Sequence, residues 1–546
     1  MTASTHSVGF DTDVAIVGAG PVGTLLAILL GQRGKKVTLI ERWSKHYPLP
    51  RAVTFDHEIA RILATLGINA EEDEAINYHD ELYYWRNRDG KNLQIVDWQS
   101  QSASGWRVRY WFNQPYLERR FLEIAAELPT VTILRGYEGN AMEQDAEGVT
   151  LSIKQNPEEF GPDGDRKTLR AKFVAGTDGA NSFVRETLGI ENEDKGYFFD
   201  WLILDMIPNF DYVASRPDQP AQWQLCDPKR PTTIVPGGPG PVSGGPDRRR
   251  WEFMVLPTED AAEMQKPENA WKLLEPWGIT PDNAELERAA VYRFQARWAK
   301  TWNKGRCLIG GDAAHLMPPF AGEGMCAGVR DAVAMAWRLN GILEGKLEMD
   351  VLDTYTSERI EHAKHYINFS QELGQIICIS DEDAAAERDA AMIGALAERD
   401  NAPVPTDICR LGHGIWDDAS PHAGELSVQG VVEANGHTDR FDQIVGQGWV
   451  LLGYDTDPTE ALADDQRAQL TSLEGITVRI SPAGTTGDVV DTEGTFAAWL
   501  SEIDAKYVLI RPDFYVALTA NSPEALRTKF AAIMDRLHIT APVAAE

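Results

Sequence analysis

Short apolar runs and helix-forming stretches alternate from the start of the chain. The β-branched run at 13–17 predicts a buried strand, and the apolar stretch at 24–33 predicts a helix that Gly34 ends. A second apolar run at 37–41 predicts a strand beside the first. The chain therefore opens with a strand–helix–strand unit, from which parallel sheets are built.

The middle of the chain predicts a hairpin followed by long helices. Apolar runs at 231–235 and 250–256 flank a stretch rich in glycine and proline, 236–246, which is typical of a long hairpin loop. A helical pattern covers 350–379, and the acidic, alanine-rich segment 381–400 is expected to be helical or loose at the surface.

The last part of the chain predicts a small α/β module of its own. Residues 400–430 contain several Pro, Gly and Asp residues and predict a connection. Beyond this connection the pattern predicts strands and helices in turn, with strands at 448–453, 476–480 and 507–511 and helices at 461–470 and 523–537.

The composition excludes several classes of protein. Hydrophobic residues make up 43% and charged residues 25% of the 546 residues, values normal for a globular enzyme of several domains. The formal net charge of −31 repels nucleic acid. The longest apolar stretch, 22–30, is too short to span a membrane, and the N-terminus lacks a secretion signal. The five scattered cysteines form no C-x-x-C pair, so a cytoplasmic protein is expected.

The first chemical motif is Gly18-x-Gly20-x-x-Gly23, between the first strand and helix. Its glycines allow a tight turn and let the backbone approach a pyrophosphate, which the N–H groups of the helix start face. Glu41 ends the second strand and can accept hydrogen bonds from a ribose diol. The motif predicts a dinucleotide site but does not distinguish NAD from FAD.

A second motif, Asp178-Gly179-x-x-Ser182-x-x-Arg185, joins a predicted strand to a predicted helix. By itself it is equally well explained by a capped turn, in which Asp178 or Ser182 bonds the backbone. In that case Arg185 is a solvated helix residue.

A third motif runs from Arg306 to Asp331 and brings Asp312 from a strand into a glycine-flanked turn. A Pro-Pro loop follows, and a glycine-rich segment opens a helix to about residue 339. An Asp at this place can hold a polyol, and the N–H groups of the helix start can stabilise an anion. A reduced flavin, which is negative at N1 and the C2 oxygen, requires such an anion site, whereas a nicotinamide does not.

With these three motifs in this order, the chain resembles the FAD-dependent aromatic hydroxylases of the para-hydroxybenzoate hydroxylase fold. It is most similar to the 3-(3-hydroxyphenyl)propionate hydroxylase and phenol hydroxylase branch, over residues 12 to about 375. The resemblance implies an α/β fold with α+β elements, in which a Rossmann-like FAD-binding domain comprises 1–73, 113–195 and 298–400, and an interleaved β-sheet substrate domain comprises 74–112 and 196–297. A linker at 401–429 and a thioredoxin-like C-terminal domain at 430–546 follow. Since this last domain has no C-x-x-C pair, it is expected to serve packing or assembly.

The resemblance also implies roles for single residues. Gly18, Gly20 and Gly23 would cradle the FAD pyrophosphate, Glu41 would bind the adenosine ribose, and Asp312 would bind the ribitol chain. Arg42 is a further cofactor-binding candidate. The isoalloxazine would be lined by Pro318, Gly322, Gly324 and Met325. Further positions that match residues handling FAD or NAD(P)H are Arg51, Gln114, Asp178 and Arg185. The chain has Glu323 and Cys326 where many members have Gln and Asn, which leaves the orientation of the Glu323 carboxylate open.

The family reduces FAD with NADH or NADPH, adds O2 at flavin C4a, and transfers the distal oxygen of the hydroperoxide to a phenolic ring. The protein positions the ring, deprotonates the phenol and excludes water. Aromatic side chains of the substrate segments line an apolar slot or pack in the core, the candidates being Trp201, Trp223, Phe253, Tyr292 and Phe294. A substrate carboxylate would require an arginine, for which the candidates are Arg107, Arg109, Arg293 and Arg297.

The candidates for the base that deprotonates the phenol are His57, Tyr197, Tyr292 and His315. A neutral His is suited to accept a proton near pH 7. His57 begins a predicted helix soon after Arg51 and is preferred narrowly over Tyr292, the alternative being a helix histidine packed against Asp56. His315 is expected to help set the geometry of the loop after Asp312.

Two other functions compete with the hydroxylase. A flavin-dependent halogenase shares the fold, but the sequence has no W-x-W-x-I-P motif. A non-catalytic FAD-binding or assembly protein would use the C-terminal module as its interface, and the intact flavin-loop motif argues against this. No metal site is expected. The sequence does not identify the phenol, the choice between NADH and NADPH, or the oligomer, for which a homodimer is left open.

Overall fold

The computed structural model describes residues 9–196, 199–241, 244–406, 409–485 and 487–539. Tyr197, one of the candidate bases, lies outside the described residues. The described chain forms a mixed α/β structure with three large sheets and two three-stranded sheets. No helix in these ranges has the length and apolar character needed to cross a membrane.

The first large sheet has the predicted strand–helix–strand unit at its centre. The strand Thr12–Val17 lies between Val37–Glu41 and Arg166–Gly176 and is parallel to both. Its helix, Pro21–Gln32, begins three residues before the predicted start at 24, since proline suits the first turn of a helix. The other strands are Val131–Arg135, Tyr137–Gln144, Val149–Gln155, Asn303–Lys304 and Cys307–Ile309.

Two helices distant in sequence pack against Pro21–Gln32: Gln114–Glu127 and Gly324–Leu343. Since such packing covers the parallel strands, their apolar side chains belong to one continuous core. The start of the helix Gly324–Leu343 is thereby held near the glycine turn at 18–23.

The second large sheet comes from the segments expected to hold the substrate. Its strands lie in the order Ala284–Phe294, Phe199–Pro208, Arg249–Met254, Thr232–Pro236, Trp223–Leu225, Tyr83–Arg86 and Asn92–Val96. The hairpin predicted around 236–246 is confirmed, because Thr232–Pro236 pairs antiparallel with Arg249–Met254.

Shorter elements connect the two large sheets. The three-stranded sheets are Thr54–Asp56 with Arg109–Phe112 and Ile76–Asn77, and Asn192–Asp194 with Arg297–Ala299 and His315–Leu316. The remaining helices of this part are His57–Ala64, Pro157–Phe160, Phe183–Thr187, Ala261–Met264 and Pro267–Leu274, with 3-10 turns at Glu275–Trp277, Gly311–Ala313 and Pro319–Ala321.

Two long helices follow the helix Gly324–Leu343. Val351–Ile377 confirms the helix predicted at 350–379. The acidic segment at 381–400 forms the helix Glu382–Glu398, which packs against the strand Asn92–Val96. It buries Ala385, Arg388 and Leu396, so one face of this helix is fixed to the protein.

The C-terminal module forms the third large sheet. Its strands lie in the order His437–Arg440, Val431–Ala434, Val489–Asp491, Ile476–Ser481, Val450–Tyr454, Tyr507–Ile510 and Val516–Ala520. Its helices are Phe441–Val445, Pro458–Ala461, Asp464–Ser472, Thr495–Glu502 and Pro523–Arg536. The strands and the last helix agree with the prediction, whereas the helix predicted at 461–470 is divided in two, at 458–461 and 464–472.

Buried polar contacts join this module to the rest of the chain. Arg61 donates to the Asp442 carboxylate at 2.6 and 3.0 Å and to the Ser427 carbonyl oxygen at 2.6 Å. Tyr515 donates its hydroxyl to Glu58 at 2.9 Å. Because a buried charge without a partner is costly, these contacts fix how the two parts pack.

Candidate active site

The glycine turn leaves the start of the helix Pro21–Gln32 open to a ligand. Gly20 is the N-cap residue, and no described side chain caps this helix start. A Cβ at Gly23 would lie 2.0 Å from the Gly18 carbonyl oxygen, and Gly18 has φ +104°, so both positions require glycine. At Gly20 a Cβ would meet nothing within 4 Å. This open space above uncapped N–H groups fits a pyrophosphate.

Glu41 lies against the same turn. Its carboxylate accepts hydrogen bonds from the N–H groups of Ala19 at 3.0 Å and Trp43 at 2.9 Å. These bonds orient the carboxylate where the ribose of a dinucleotide lies in such folds. Arg42 is exposed and donates to Glu158 at 3.0 Å instead, so the structure brings Glu41 but not the Arg42 guanidinium to the turn.

A cleft of about 310 Å3 opens beside the glycine turn, and we call it the flavin cleft. It joins the turn to the loop after residue 50 and to the start of the helix Gly324–Leu343. Of the predicted cofactor residues, its wall includes Gly20, Arg51, Gln114, Asp312, Gly322, Gly324 and Met325. Pro318 is buried and precedes the 3-10 turn Pro319–Ala321 at the edge of this wall.

Gln114 holds the loop at 51–52 through its backbone. The side-chain oxygen of Gln114 accepts hydrogen bonds from the N–H groups of Arg51 at 2.9 Å and Ala52 at 2.7 Å. The Arg51 guanidinium is exposed and lies over the Tyr47 ring, 4.8 Å from its centroid. Gln114 therefore shapes the cleft, and Arg51 stays available to a ligand.

The Asp-Gly motif forms a capped turn that is tied to the loop of Asp312. Asp178 accepts hydrogen bonds from the Ser182 hydroxyl at 2.5 Å and the Val184 N–H at 3.2 Å. Arg185 is buried and donates to the carbonyl oxygens of Ala180 at 2.9 Å and Ala313 at 3.0 Å. Arg185 is thus not a solvated helix residue. Neither Asp178 nor Arg185 belongs to the wall of the flavin cleft, although their neighbours Thr177 and Gly179 do.

Asp312 faces the flavin cleft, whereas His315 is buried behind it. His315 Nε2 is hydrogen-bonded to Asp331 at 2.9 Å, and the same carboxylate oxygen accepts from the Gly311 N–H at 2.9 Å. Although burial raises it, Arg359 and His315 hold the pKa of Asp331 below its ordinary value. His315 therefore helps to fix the turn that presents Asp312, and it does not line the flavin cleft.

A second cleft of about 430 Å3 borders the same loop, and we call it the aromatic cleft. Its inner wall is formed by the second large sheet and the loop at 320–323. Its outer wall is formed by the helices Val351–Ile377 and Glu382–Glu398 and by the segment 404–406. Its aromatic and apolar lining residues are Tyr83, Trp85, Val96, Trp98, Phe320, Ala321, Tyr366, Phe369, Leu373, Ile376, Met392, Val404 and Pro405.

None of the aromatic residues singled out from the sequence lines this cleft. Trp201 and Phe294 contact the Phe320 ring at centroid distances of 5.4 and 5.8 Å. Trp223 and Phe253 belong to a separate core cluster. The cleft is lined instead by Tyr83, Trp85 and Trp98, which lie in the predicted substrate segment at 74–112 but were missed individually. The run of three aromatic residues at 83–85 is the signal that could have found the first two.

Arg109 and Glu323 are the ionic side chains of the aromatic cleft. Each is 3% exposed, and Arg109 Nη2 donates to Glu323 Oε1 at 3.3 Å. The Nε and Nη1 groups of Arg109 have no hydrogen-bond partner among the described residues. The Glu323 carboxylate, whose orientation the sequence left open, therefore points inward. The other candidate arginines bond elsewhere, namely Arg107 to Asp80, Arg293 to Asp200 and Arg297 to the Ala180 carbonyl oxygen.

A buried charge cluster continues from Glu323 towards the C-terminal module. Arg330 donates to Glu323 at 3.0 Å, to Glu58 at 2.6 Å and to Asp56. Burial and the nearby Asp56 carboxylate raise the pKa of Glu323 to about 7. Ligand atoms of Asp56, Glu323 and Cys326 lie within 4.8 Å of one another, but Arg330 already compensates both carboxylates.

His57, the preferred base, lies behind this cluster. Its Nδ1 is paired with the Ser104 hydroxyl at 2.9 Å, and burial lowers its pKa. His57 lines a small cavity next to Glu323 but not the aromatic cleft. Tyr292 lies under the Arg288 guanidinium, 4.7 Å from the ring centroid, and lines neither cleft.

Comparison with known proteins covers nearly the whole chain. Residues 11–370 match the family model of an FAD binding domain, and 424–535 match the HcaD C-terminal domain. A probable NADH-specific resorcinol 4-hydroxylase from Rhodococcus jostii (strain RHA1) is 33% identical over 92% of this chain and 91% of its own length. The 3-(3-hydroxy-phenyl)propionate/3-hydroxycinnamic acid hydroxylase 2 from Burkholderia vietnamiensis (strain G4 / LMG 22486) is 33% identical over 93% of both chains.

Solved structures share the fold at lower identity. The flavin-dependent monooxygenase PieE, in complex with FAD and substrate, has a TM-score of 0.78 at 20% identity and covers 96% of this chain and 99% of its own. The ternary complex of aklavinone-11 hydroxylase with FAD and aklavinone has a TM-score of 0.74 at 23% identity and covers 97% and 100%. With a family match over residues 11–370 and relatives that align along nearly its full length, this chain belongs to the FAD-dependent aromatic hydroxylases.

Proposed function

We propose that the protein hydroxylates a small phenol with FAD, NADH and O2. The observation that carries this proposal is that one loop borders both clefts. Gly322 and Gly324 line the flavin cleft, whereas Ala321 and Glu323 line the aromatic cleft. A ring in the aromatic cleft is held against the loop that borders the cofactor, and reaction requires atoms within about 3–3.5 Å of each other.

FAD, when bound, supplies the activation of O2, and the residues of the flavin cleft fit it. The uncapped helix start at Gly20 would bind the pyrophosphate, Glu41 the adenosine ribose and Asp312 the ribitol chain. No described side chain caps the start of the helix Gly324–Leu343, so its N–H groups can stabilise an anionic ring edge. Gln114 keeps the cleft open by holding the loop at 51–52.

The aromatic cleft favours a substrate of one ring with a short substituent. Its volume of about 430 Å3 suits a small ligand, and its lining is apolar apart from a few polar groups. NADH is preferred to NADPH in this proposal because a full-length relative is described as NADH-specific. A non-catalytic role would not explain why one loop borders both clefts or why the charged side chains of Arg109 and Glu323 point inward. A halogenase is not supported because the sequence has no W-x-W-x-I-P motif.

The test is a panel of phenols given to the purified, FAD-loaded protein with NADH or NADPH. Resorcinol and 3-(3-hydroxyphenyl)propionate are the first choices, since the two relatives are named as hydroxylases of these compounds. We expect a phenol-dependent rise in NADH consumption that is matched by hydroxylated product. NADH oxidation that no phenol changes would reject the proposal, and so would FMN in place of FAD in the protein as purified, before FAD is added.

We also propose a thioredoxin-like fold for the C-terminal module and retain the domain boundaries expected from the sequence. In support, Val450–Tyr454 is parallel to Ile476–Ser481 and antiparallel to Tyr507–Ile510. No cysteine follows Cys409 in the sequence, so a role in packing is proposed and not dithiol chemistry. A cytoplasmic location is retained as part of this proposal because the five cysteines are scattered along the sequence and form no C-x-x-C pair.

A further inference from the structure

We propose that Glu323 accepts the proton of the phenol substrate and that Arg109 stabilises the phenolate that forms. The inference rests on the proposed hydroxylase function and names the residues that activate the ring. Among the described residues of the aromatic cleft, these two carry the only ionic side chains. Their neighbours Gly322 and Gly324 line the flavin cleft, so the pair lies at the border of the two clefts.

Two N–H groups of Arg109 have no hydrogen-bond acceptor among the described residues, and a substrate oxygen could accept from them. Its guanidinium is buried, lies 4.9 Å from the Trp98 ring centroid, and leaves Nε and Nη1 without a partner among the described residues. Unsatisfied donors in a buried site are costly, and a charged acceptor recovers this cost best. A phenolate oxygen beside Arg109 would do so.

The charges around Glu323 require one additional proton. Three carboxylates, those of Asp56, Glu58 and Glu323, surround two guanidiniums, those of Arg109 and Arg330. With all five groups ionised, this buried cluster has a net charge of −1, which burial disfavours. Arg330 and other neighbours hold the pKa of Asp56 well below its ordinary value despite burial, whereas burial and Asp56 raise that of Glu323. Glu323 is therefore the carboxyl that exchanges a proton near neutral pH.

The other titratable groups around this cluster are His57, Cys326, His362, Tyr366, Cys409 and Tyr515. Burial lowers the pKa of both histidines. Burial also raises the pKa of Cys326 and of the two tyrosines. The two histidines, Cys326 and the two tyrosines therefore stay neutral near pH 7 and do not compete with Glu323 for the proton.

The proton transfer conserves the charge of the cleft. The O–H bond of the phenol breaks, the proton moves to a carboxylate oxygen of Glu323, and the electron pair stays on the phenol oxygen beside Arg109. One anion replaces another, whereas a neutral histidine as base would create two new charges in a buried site. Since a free phenol has a pKa near 10, Arg109 must also lower the pKa of the bound phenol.

The experiment compares the holoenzyme with its Glu323→Gln variant, using resorcinol as the probe. Gln has almost the same size and is the residue that many members of the family have here. Ultraviolet difference absorbance reports phenolate formation on the enzyme as the pH is varied. In the wild type, we expect bound resorcinol to ionise at least about one pH unit below free resorcinol. In Glu323→Gln, product formation at pH 7 should fall roughly tenfold, and the pH profile of product formation should lose the rise that follows ionisation of the Glu323 carboxyl, with unchanged FAD affinity.

Matched variants separate this role from others. Arg109→Met should raise the pH at which bound resorcinol ionises, because the cation that stabilises the phenolate is lost. Glu81→Gln changes another carboxyl whose pKa burial raises, but Glu81 accepts from the Ala221 N–H outside the cleft, so ionisation should not move. If His57→Ala removes the rise in the pH profile of product formation and Glu323→Gln does not, the inference is wrong. The same holds if the wild type hydroxylates resorcinol without altering its ionisation. Failure of the wild type to bind or hydroxylate any phenol of the panel rejects the proposed function instead.

Discussion

Replacing Gly20 by Ala should separate FAD binding from folding. Gly20 has φ −71° and ψ −176°, which any residue adopts, and a Cβ would meet nothing within 4 Å. The apoprotein should therefore change in stability by less than about 1 kcal/mol, because alanine restricts the unfolded chain but is a poorer N-cap than glycine. The methyl group would occupy the space in which we expect the pyrophosphate.

The size of the effect on FAD follows from the contacts that the methyl group prevents. A phosphate oxygen that accepts a hydrogen bond from a backbone N–H lies about 2.7–3.2 Å from the nitrogen. The methyl group of alanine would occupy part of this space and keep the phosphate oxygen too far from the N–H. Loss of one charge-assisted hydrogen bond costs about 1.5–3 kcal/mol, so the Kd for FAD should rise roughly 10- to 100-fold.

Flavin fluorescence would measure the Kd, and thermal unfolding of the apoprotein would measure stability. Gly23→Ala is the contrasting variant, since its Cβ would lie 2.0 Å from the Gly18 carbonyl oxygen and should impair both folding and binding. Gly394→Ala, at an exposed helix position with nothing within 4 Å of its Cβ, should change neither the Kd for FAD nor the flavin fluorescence of the holoenzyme. A wild-type Kd in Gly20→Ala would refute the placement of the pyrophosphate.

Three further outcomes are expected. Asp312→Ala should lower FAD occupancy far more than the Tm of the apoprotein, since its carboxylate lines the flavin cleft, and equal losses would indicate a structural role. Arg61→Met should destabilise the apoprotein by about 3–5 kcal/mol in urea because it leaves Asp442 buried without its partner, whereas Arg42→Met, which breaks an exposed pair, should cost less than about 1 kcal/mol. The pKa of Glu323 rises from 4.5 to about 7 on folding, so its contribution to stability is complete below pH 4.5 and is lost as the pH rises through 7. Between pH 5 and 8 the wild type should therefore lose up to about 3 kcal/mol relative to Glu323→Gln, and parallel stability curves would contradict this.

The sequence predicted the cofactor side of the site because local backbone geometry determines it. The glycine turn, Glu41 and Asp312 each lie at or shortly after the end of a parallel strand, so the sheet brings them to one edge once the strands are recognised. The hairpin around 236–246 and the helix Val351–Ile377 were predictable for the same local reasons.

The substrate side of the site depends on contacts between residues that are distant in the sequence, and the periodicity of apolar residues does not predict such contacts. Arg109 and Glu323 lie 214 positions apart, and neither carries a local signal for the other. The acidic composition of 381–400 gave no sign that the segment would pack on the strand Asn92–Val96 and bring Met392 to the aromatic cleft. His57 began a helix as expected, but tertiary packing paired it with Ser104 and kept it out of both walls.

The outer wall of the aromatic cleft comes from one continuous stretch of chain, from Tyr366 to Thr406, and none of it borders the flavin cleft. Selection can therefore act on this stretch without touching the machinery that retains the cofactor. Exchanging or lengthening this stretch between family members should change the range of substrates while the cofactor site stays the same. In an engineering library, diversity confined to positions such as Leu373, Ile376 and Met392 should yield proteins that still bind FAD and differ in the rings they accept.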